Sequence, residues 1–119
     1  MMMKPTKIYN QFDIVVVPFP FTDINSSKRR PAIVLSHDNN FNNSVKHSVM
    51  AMITSSLNSP WPLDVSIYNL NSTGLIKPSI IRMKFFTLDN KLIIRKIGNL
   101  SKDDQINLIK AINQLFNTK

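Results

Sequence analysis

Three consecutive basic residues, Lys28, Arg29 and Arg30, stand directly before Pro31 in a polar segment between two β-patterned stretches. The guanidinium group of arginine is a rigid planar fork of donors that matches the oxygens of a phosphate group. Because proline pushes the residue before it into an extended conformation, the side chain of Arg30 has a defined direction at the start of the following strand. The stretch therefore favours a phosphate-binding role for Arg30.

The charge balance of the whole chain agrees with an anionic partner. Lysine and arginine number 15 against 7 for aspartate and glutamate, which gives a formal charge of +8. A surplus of this size in a small domain attracts polyanions over a long range. Nucleic acid is the first candidate partner and an acidic protein is the second. The alternative is that the charge only keeps the protein soluble.

Length and residue usage bound the class of protein. The chain of 119 residues predicts one domain over 12–119, preceded by a flexible tail over 1–11. No apolar run approaches the length of a membrane span, and the N-terminus does not read as a signal peptide, so we expect no membrane partner. The absence of cysteine excludes a disulfide framework and a thiolate metal site, and it is compatible with a cytoplasmic location.

The elements that must position the basic residues are mostly strands. Six short segments rich in β-branched and aromatic residues are predicted as strands: 12–19, 32–35, 46–53, 64–68, 79–86 and 91–97. Asp89 and Asn90 predict a tight hairpin turn between the last two of them. The segment 37–44 is expected to be irregular, with at most one helical turn.

One helix is predicted at the C-terminal end of the chain. Ser101 is a natural N-cap, and Asp103 and Asp104 place negative charge in the first turn, where it is favoured. The apolar residues that follow have the spacing of a core-facing stripe: Leu108, Ile109, Ile112, Leu115 and Phe116. Short strands followed by one amphipathic helix predict a mainly β fold, a strongly bent sheet or barrel with the helix packed against it.

Five segments of the chain, in this order and spacing, resemble the MazF/PemK-like toxins of type II toxin–antitoxin systems. They are FDIVVVPFPFTD, SKRRPAIVLS, MAMITSS, KPSIIRMKFFTLDNKLI and KIGNLSKDDQINLI. The resemblance implies an SH3-like β-barrel of the MazF/PemK/CcdB type and a homodimer. It also implies an endoribonuclease (mRNA interferase) that cleaves single-stranded RNA without a metal or other cofactor, and inhibition by an acidic antitoxin protein.

The same resemblance assigns roles to particular residues. Arg30 and Thr54 match the catalytic pair of the family, Ser55 lies in a loop expected to border the RNA, and Arg82 falls near the scissile phosphate. The other residues expected to contact RNA are Lys28, Arg29, Ser56, Ser79 and Lys84.

Each of these assignments has a structural alternative. Arg30 could instead pair with Asp23 or Asp64, and Thr54 could be an ordinary residue at a strand end. Arg82 could simply lie on the solvent face of a strand.

The implied reaction is attack of the ribose 2′-hydroxyl on its adjacent phosphate. Arg30 suits stabilisation of the phosphorane, but guanidinium does not titrate and Thr54 is a poor base. His37 and His47 are the only side chains with an unperturbed pKa near neutrality. We interpret His37 as an exposed loop residue and His47 as a packed strand residue, not as catalytic groups.

Aromatic residues admit two interpretations. Phe19, Phe21 and Trp61 could stack on bases, but such residues more often belong to a core or a dimer interface. Phe85 and Phe86 would suit a dimer interface.

The chain also departs from the family pattern at two informative positions. Lys84 stands where a subset of members has an acidic residue, and Phe12 stands where glycine is usual. Lys84 keeps open the alternative of a catalytically silent relative that binds RNA, DNA or an acidic protein. A toxin of the same fold that blocks a topoisomerase is a third reading, which no sequence feature specifically supports.

Overall fold

The computed structural model describes residues 8–19 and 28–118 of the chain. Within them, six strands and two helices follow one another, with a π-helical turn at Asp38–Asn42 and a 3-10 turn at Asn90–Leu92. The strands are β1 (Asp13–Pro18), β2 (Arg29–Val34), β3 (His47–Ser55), β4 (Val65–Ser66), β5 (Ser79–Asp89) and β6 (Arg95–Asn99). The helices are the single turn α1 (Asn43–Val45) and the amphipathic α2 (Lys102–Leu115). The predicted mainly β fold with one C-terminal helix is confirmed.

The strands form one curled antiparallel sheet, a half-barrel, in the order β4-β5-β3-β2-β1-β6. The central strands carry runs of valine and isoleucine, which fit a pleated surface that is covered on both faces. β5 and β6 are at opposite sides of the order, so the expected hairpin at Asp89 and Asn90 is wrong. Instead, the 3-10 turn carries the chain away from β5, and β6 pairs with β1.

Each face of the sheet has its own apolar core. One face packs against α2 through a cluster that includes Ile33, Ala51, Ile81 and Leu108. The other face buries Val15, Val17, Ala32, Val34 and Met50 together with residues from the chain segments that cross it. Because the two sides of the central strands are both covered, side chains on both faces are removed from water.

Tyr9 closes one end of the second core. It lies inside the segment expected to be a tail, yet it is only 3% exposed, and the next residue, Asn10, donates its backbone N–H to the Asp13 carboxylate. Burial, and secondarily the charge of Asp13, raise the pKa of Tyr9, so its phenol stays neutral. The rest of that predicted tail, residues 1–7, lies outside the described residues.

The side of the half-barrel next to β6 is closed by the turn at residues 71–74. Asn99 N donates to Ser72 O at 2.8 Å. A Cβ atom on Gly98 would lie 2.3 Å from Ser72 O, so only glycine permits this backbone approach. Phe12 adopts φ +72°, a left-handed conformation that costs a non-glycine residue roughly 1–2 kcal/mol.

The predicted core-facing stripe of α2 is only partly correct. Leu108 is buried and Ile112 half-buried, but Ile109, Leu115 and Phe116 are 45%, 41% and 59% exposed. The helix touches the sheet along a narrow line through Asp104, Leu108 and Ala111. Ile109, Leu115 and Phe116 therefore face outward, while Ile112 packs partly against the core.

His47 is exposed, so the interpretation of a packed strand histidine is wrong. It opens β3 opposite Asp89, at the margin of the sheet, where no element covers it. His37 is exposed as expected, and its Nδ1 accepts the backbone N–H groups of Asn39 and Asn40 at the start of the π-helical turn.

The carboxylate of Asp104 joins α2 to the segment after β4. It accepts the backbone N–H of Tyr68 at 3.1 Å and that of Asn69 at 3.0 Å, and it also contacts the hydroxyl of the N-cap Ser101. Asp104 is 1% exposed. The carboxylate is thus the acceptor for two partly buried backbone donors.

We expect Asp104→Ala to lower the free energy of unfolding by about 2 kcal/mol, because it removes a buried carboxylate that accepts two backbone N–H groups and the hydroxyl of Ser101. Asp103→Ala is the matched control, since Asp103 lies in the same first turn but is exposed; it should cost no more than about 1 kcal/mol. Urea denaturation measures both values. Equal losses for the two variants would contradict the anchoring role of Asp104.

Candidate functional site

The pairing of β2 with β3 sets the position of the basic stretch. In this antiparallel pair Ala32 lies opposite Met52. Two residues further along, the same register brings Arg30 to the level of Thr54, with both side chains on one face because strand residues alternate. Arg30 is exposed and pairs across its other edge with Val17 of β1.

Arg30 and Thr54 line one open hollow of about 440 Å³. That volume lies within the range of small-ligand sites, roughly 300–1,000 Å³. Ser55 and Ser79 of the predicted set also line the hollow. The other lining residues are Pro31, Ile53, Asn58, Leu75, Ile76 and Lys77. Two cations and no carboxylate stand among these described lining residues, so the hollow suits an anion.

The hydroxyl group of Thr54 has a defined partner. Asn58 donates a side-chain N–H to Thr54 Oγ1. A threonine hydroxyl has one proton and two lone pairs. Since Asn58 occupies one lone pair, the hydroxyl proton of Thr54 is left to be donated to a ligand in the hollow.

Lys77 supplies the second cation. It is exposed and precedes Pro78, as Arg30 precedes Pro31, so each cation is held extended by the proline after it. The hydroxyl of Ser79 donates to the Lys77 carbonyl at 2.8 Å, which fixes the backbone of Lys77 at the start of β5. The hollow is thus flanked by two cation–proline pairs, one in β2 and one directly before β5.

Arg82 lies outside the hollow in a network of its own. Its guanidinium group binds both carboxylate oxygens of Asp64, at 3.2 and 3.1 Å, and the carbonyl of Ser59 at 2.6 Å. The guanidinium carbon also lies 4.9 Å from the centroid of the Trp61 ring, a cation–π contact. The side chain is 12% exposed, so it is not on a solvent face, and its donors are directed at protein groups.

The remaining predicted RNA contacts are not among the residues that line the hollow. Lys28 and Arg29 are exposed beside Arg30, and adjacent strand residues point to opposite faces, so Arg29 faces away from Arg30. Ser56 donates its backbone N–H and its hydroxyl to the Pro78 carbonyl. Lys84 Nζ lies 5.8 Å from the centroid of the Phe19 ring.

Of the two acids considered as alternative partners of Arg30, the structure describes only Asp64. Asp64 is bound to Arg82, and Asp23 lies outside the described residues. No carboxylate of residues 8–19 and 28–118 makes an ion pair with Arg30.

Neither histidine belongs to the hollow. His47 begins β3 and Thr54 lies seven residues later, which corresponds to about 23 Å along a strand. His37 follows β2 at the end opposite Arg30 and caps a turn. Among the described residues, the hollow therefore has no side chain that titrates near neutrality.

Within residues 8–19 and 28–118, no three histidine, cysteine, aspartate or glutamate residues are grouped so that they could hold a metal ion. Among the helices of the same residues, none has the length and apolarity that crossing a membrane requires.

Two polar residues of the hollow, Asn58 and Lys77, were not predicted from the sequence. The segment TSSLNSPWP has the composition of a loop, but a loop sequence does not say which amide meets Thr54. The dipeptide Lys77-Pro78 repeats the pattern of Arg30-Pro31. That repetition is the signal that could have identified Lys77.

The chain is similar to a known family of proteins. The profile of the family described as PemK-like, MazF-like toxin of type II toxin–antitoxin system matches residues 10–116. No curated protein matches the chain.

Solved structures share the fold at low sequence identity. Toxin MazF-mt6 of Mycobacterium tuberculosis superposes with a TM-score of 0.70 at 20% identity, over 90% of this chain and 98% of that one. The MazE–MazF crystal structure from Deinococcus radiodurans gives 0.73 at 17% identity, over 95% and 99%. An endoribonuclease in complex with its cognate antitoxin from a mycobacterial species gives 0.72 at 11% identity, over 94% and 96%. Because the family profile spans nearly the whole chain, this protein belongs to the PemK-like, MazF-like toxins of type II toxin–antitoxin systems.

Proposed function

We propose that this protein is an endoribonuclease toxin that cleaves single-stranded RNA in the hollow between Arg30 and Thr54. The observation that carries the proposal is that these two residues line one hollow with two cations and no acid among its described lining residues. The description of one structural relative as an endoribonuclease supports it. An RNA phosphate is the ligand whose charge and size fit such a site.

The proposed step is an internal transfer at phosphorus. The 2′-oxygen of the ribose forms a bond to the adjacent phosphorus atom, and the bond from phosphorus to the 5′-oxygen of the next nucleotide breaks. Arg30 stabilises the charge on the non-bridging oxygens, and the Thr54 hydroxyl donates a hydrogen bond to one of them. The 2′-hydroxyl loses a proton and the 5′-oxygen gains one. We assign both transfers to water, because the described lining residues include no histidine and no carboxylate.

Lys84, which stands where a subset of the family has an acidic residue, is compatible with this mechanism. Lys84 contacts the Phe19 ring and is not among the residues lining the hollow. Replacement of an acid by Lys84 therefore leaves the Arg30 and Thr54 chemistry in place, and the proposed reaction uses no carboxylate.

Arg30→Ala should lower the cleavage rate of a single-stranded RNA by about 10²–10³-fold, the usual effect of removing one donor that stabilises a transition-state charge. Gel analysis of purified protein in EDTA measures it, since the proposed chemistry uses no metal ion. Arg95→Ala is the matched control, because Arg95 is an exposed arginine of β6 and is not among the lining residues. If wild type and Arg30→Ala both bind the RNA but neither cleaves it, the protein is a catalytically silent RNA-binding protein and the enzyme proposal is wrong.

We further propose that Lys77 binds an RNA phosphate next to the one held by Arg30. Both cations line the hollow, and consecutive phosphates of a single strand need separate positive partners.

Lys77→Ala should reduce the slope of log affinity against log salt concentration by about 0.7, the value for one phosphate contact on a single strand. The probe is a 2′-deoxy oligonucleotide, which binds without being cleaved, and fluorescence anisotropy gives the affinity. Lys91→Ala removes an exposed lysine that does not line the hollow. An unchanged slope for Lys77→Ala, or an equal change for Lys91→Ala, would exclude the contact.

The protein partners that we propose are a second copy of this chain and an acidic antitoxin. The charge of +8 suits an acidic chain, and two of the structural relatives were solved as antitoxin complexes. For the second copy, the carrying observation is an apolar groove of about 410 Å³ between the sheet and α2, to which Phe85, Ile109, Ile112 and Phe116 contribute. Outward-facing apolar residues in such a cluster are typical of an interface.

We expect Ile109→Asp to shift the protein from dimer to monomer, because it places a charge in the apolar groove. Sedimentation velocity at several protein concentrations measures the change. Leu92→Asp is the control, since Leu92 is 47% exposed and does not line the groove. A monomeric wild type, or a dimeric Ile109→Asp variant, would rule out this interface.

A further inference from the structure

The loop between β3 and β4 is fixed to the sheet at both of its ends. At its first end, the backbone N–H of Asn58 donates to the Ser55 carbonyl at 3.1 Å, and the N–H of Leu57 donates to the Ser55 hydroxyl at 3.2 Å. These bonds form a tight turn directly after β3. The turn directs the Asn58 side chain back toward Thr54.

The second end of the loop is bound to β5 through Arg82. The Ser59 carbonyl, one residue after Asn58, accepts the Arg82 guanidinium group at 2.6 Å. The N–H of Trp61 donates to the Asp64 carboxylate at 2.8 Å, and the Trp61 ring lies against the same guanidinium group.

The ion pair at the base of this loop is largely withdrawn from water, because the side chains of Arg82 and Asp64 are each 12% exposed. Two parallel bonds join the guanidinium plane to the carboxylate plane, and such a pair has a fixed orientation. All donors of Arg82 with a described partner are directed at the loop. The pair therefore serves as an anchor rather than as a free charge for RNA.

We propose that Asn58 is a positioning residue that orients the Thr54 hydroxyl, and that the Arg82–Asp64 pair holds Asn58 in place. This proposal rests on the proposed endoribonuclease function. With its lone pair bound by Asn58, Thr54 keeps one rotamer, and its proton points into the hollow. Arg82 acts on the reaction through this chain of contacts and does not touch the RNA.

The first experiment is a double-mutant cycle in single-turnover cleavage of RNA. Asn58→Ala should lower the rate about tenfold while the affinity for a 2′-deoxy oligonucleotide is unchanged. In a Thr54→Val background, which lacks the hydroxyl, Asn58→Ala should have no further effect. Asn40→Ala, at an exposed asparagine of the π-helical turn, is the matched control and should cleave at the wild-type rate.

Arg82 is tested by variants that separate anchoring from RNA contact. Arg82→Lys keeps the charge but loses the paired bonds, and Asp64→Asn keeps the shape but removes the charge of the acid. Each should lower the rate about as much as Asn58→Ala, with the affinity for the 2′-deoxy oligonucleotide and its salt dependence unchanged. Each should also change the emission of Trp61, the single tryptophan of the chain.

The outcomes distinguish the two levels of the proposal. Cleavage that depends on Arg30 but not on Asn58, or an additive effect of Asn58→Ala in the Thr54→Val background, would overturn the positioning role alone. A lower affinity and a reduced salt slope for Arg82→Lys would show that Arg82 contacts RNA after all. Absence of any Arg30-dependent cleavage by wild type would remove both the enzyme and the positioning role.

NMR spectroscopy tests the same contacts without depending on catalysis. The side-chain amide resonances of Asn58 in a ¹⁵N–¹H spectrum should shift in Thr54→Val and in Arg82→Lys, because both variants alter its contacts. Resonances unchanged in both variants would contradict the proposed chain of contacts.

Discussion

The antiparallel pairing of β2 with β3 is the constraint on which the site depends. It brings the residue before Pro31 to the level of the residue that nearly ends β3, although 24 positions of sequence separate Arg30 and Thr54. A shift of the register by one residue would place the two side chains on opposite faces of the sheet. The register is held by Ala32, Ile33, Val34 and their partners, which are fully or almost fully buried.

Ion pairs with aspartate occupy some of the lysine and arginine side chains, and this leaves other cations available to bind a ligand. Asp64 neutralises Arg82, and Asp13 binds Lys96 at 3.0 Å. Within the described residues, neither Arg30 nor Lys77 makes an ion pair. At the hollow, the positive charge of the chain is represented by two cations that each precede a proline, Arg30 in β2 and Lys77 just before β5. In the proposed function, long-range attraction brings the RNA to the protein, and the local geometry of the hollow determines where a phosphate binds.

The same sheet leaves a second surface of different character. Because α2 contacts the sheet along a narrow line, the apolar residues beside that line remain in water. A helix that buried all of its apolar residues on its own sheet would leave no such groove. The half-barrel thus separates a polar, cationic hollow at one margin from an apolar groove beside the helix, and the two share no lining residue. The surface proposed for RNA therefore does not overlap the groove proposed for a second copy of the chain.

The sequence by itself determined the fold class, the number of strands and the family, because β-branched runs, turn residues and the spaced motifs are local signals. The bounds of the last strand were wrong, since it was predicted at 91–97 but the chain first makes the turn Asn90–Leu92 and β6 is Arg95–Asn99. The family resemblance singled out Arg30 and Thr54, and these two residues line the same hollow. The sequence did not determine that β6 leaves β5 to pair with β1, or that Ile109 and Phe116 face outward, since strand order and helix packing depend on contacts distant in sequence.

The roles of Arg82, Asn58 and Lys77 likewise required the tertiary structure. The motif suggested an RNA contact for Arg82, but Asp64, 18 residues earlier, binds its guanidinium group. Asn58 and Lys77 become part of the hollow only when a loop and a strand start meet there. The residue type fixes the chemistry of a side chain, but only the folded structure determines which residue that side chain contacts.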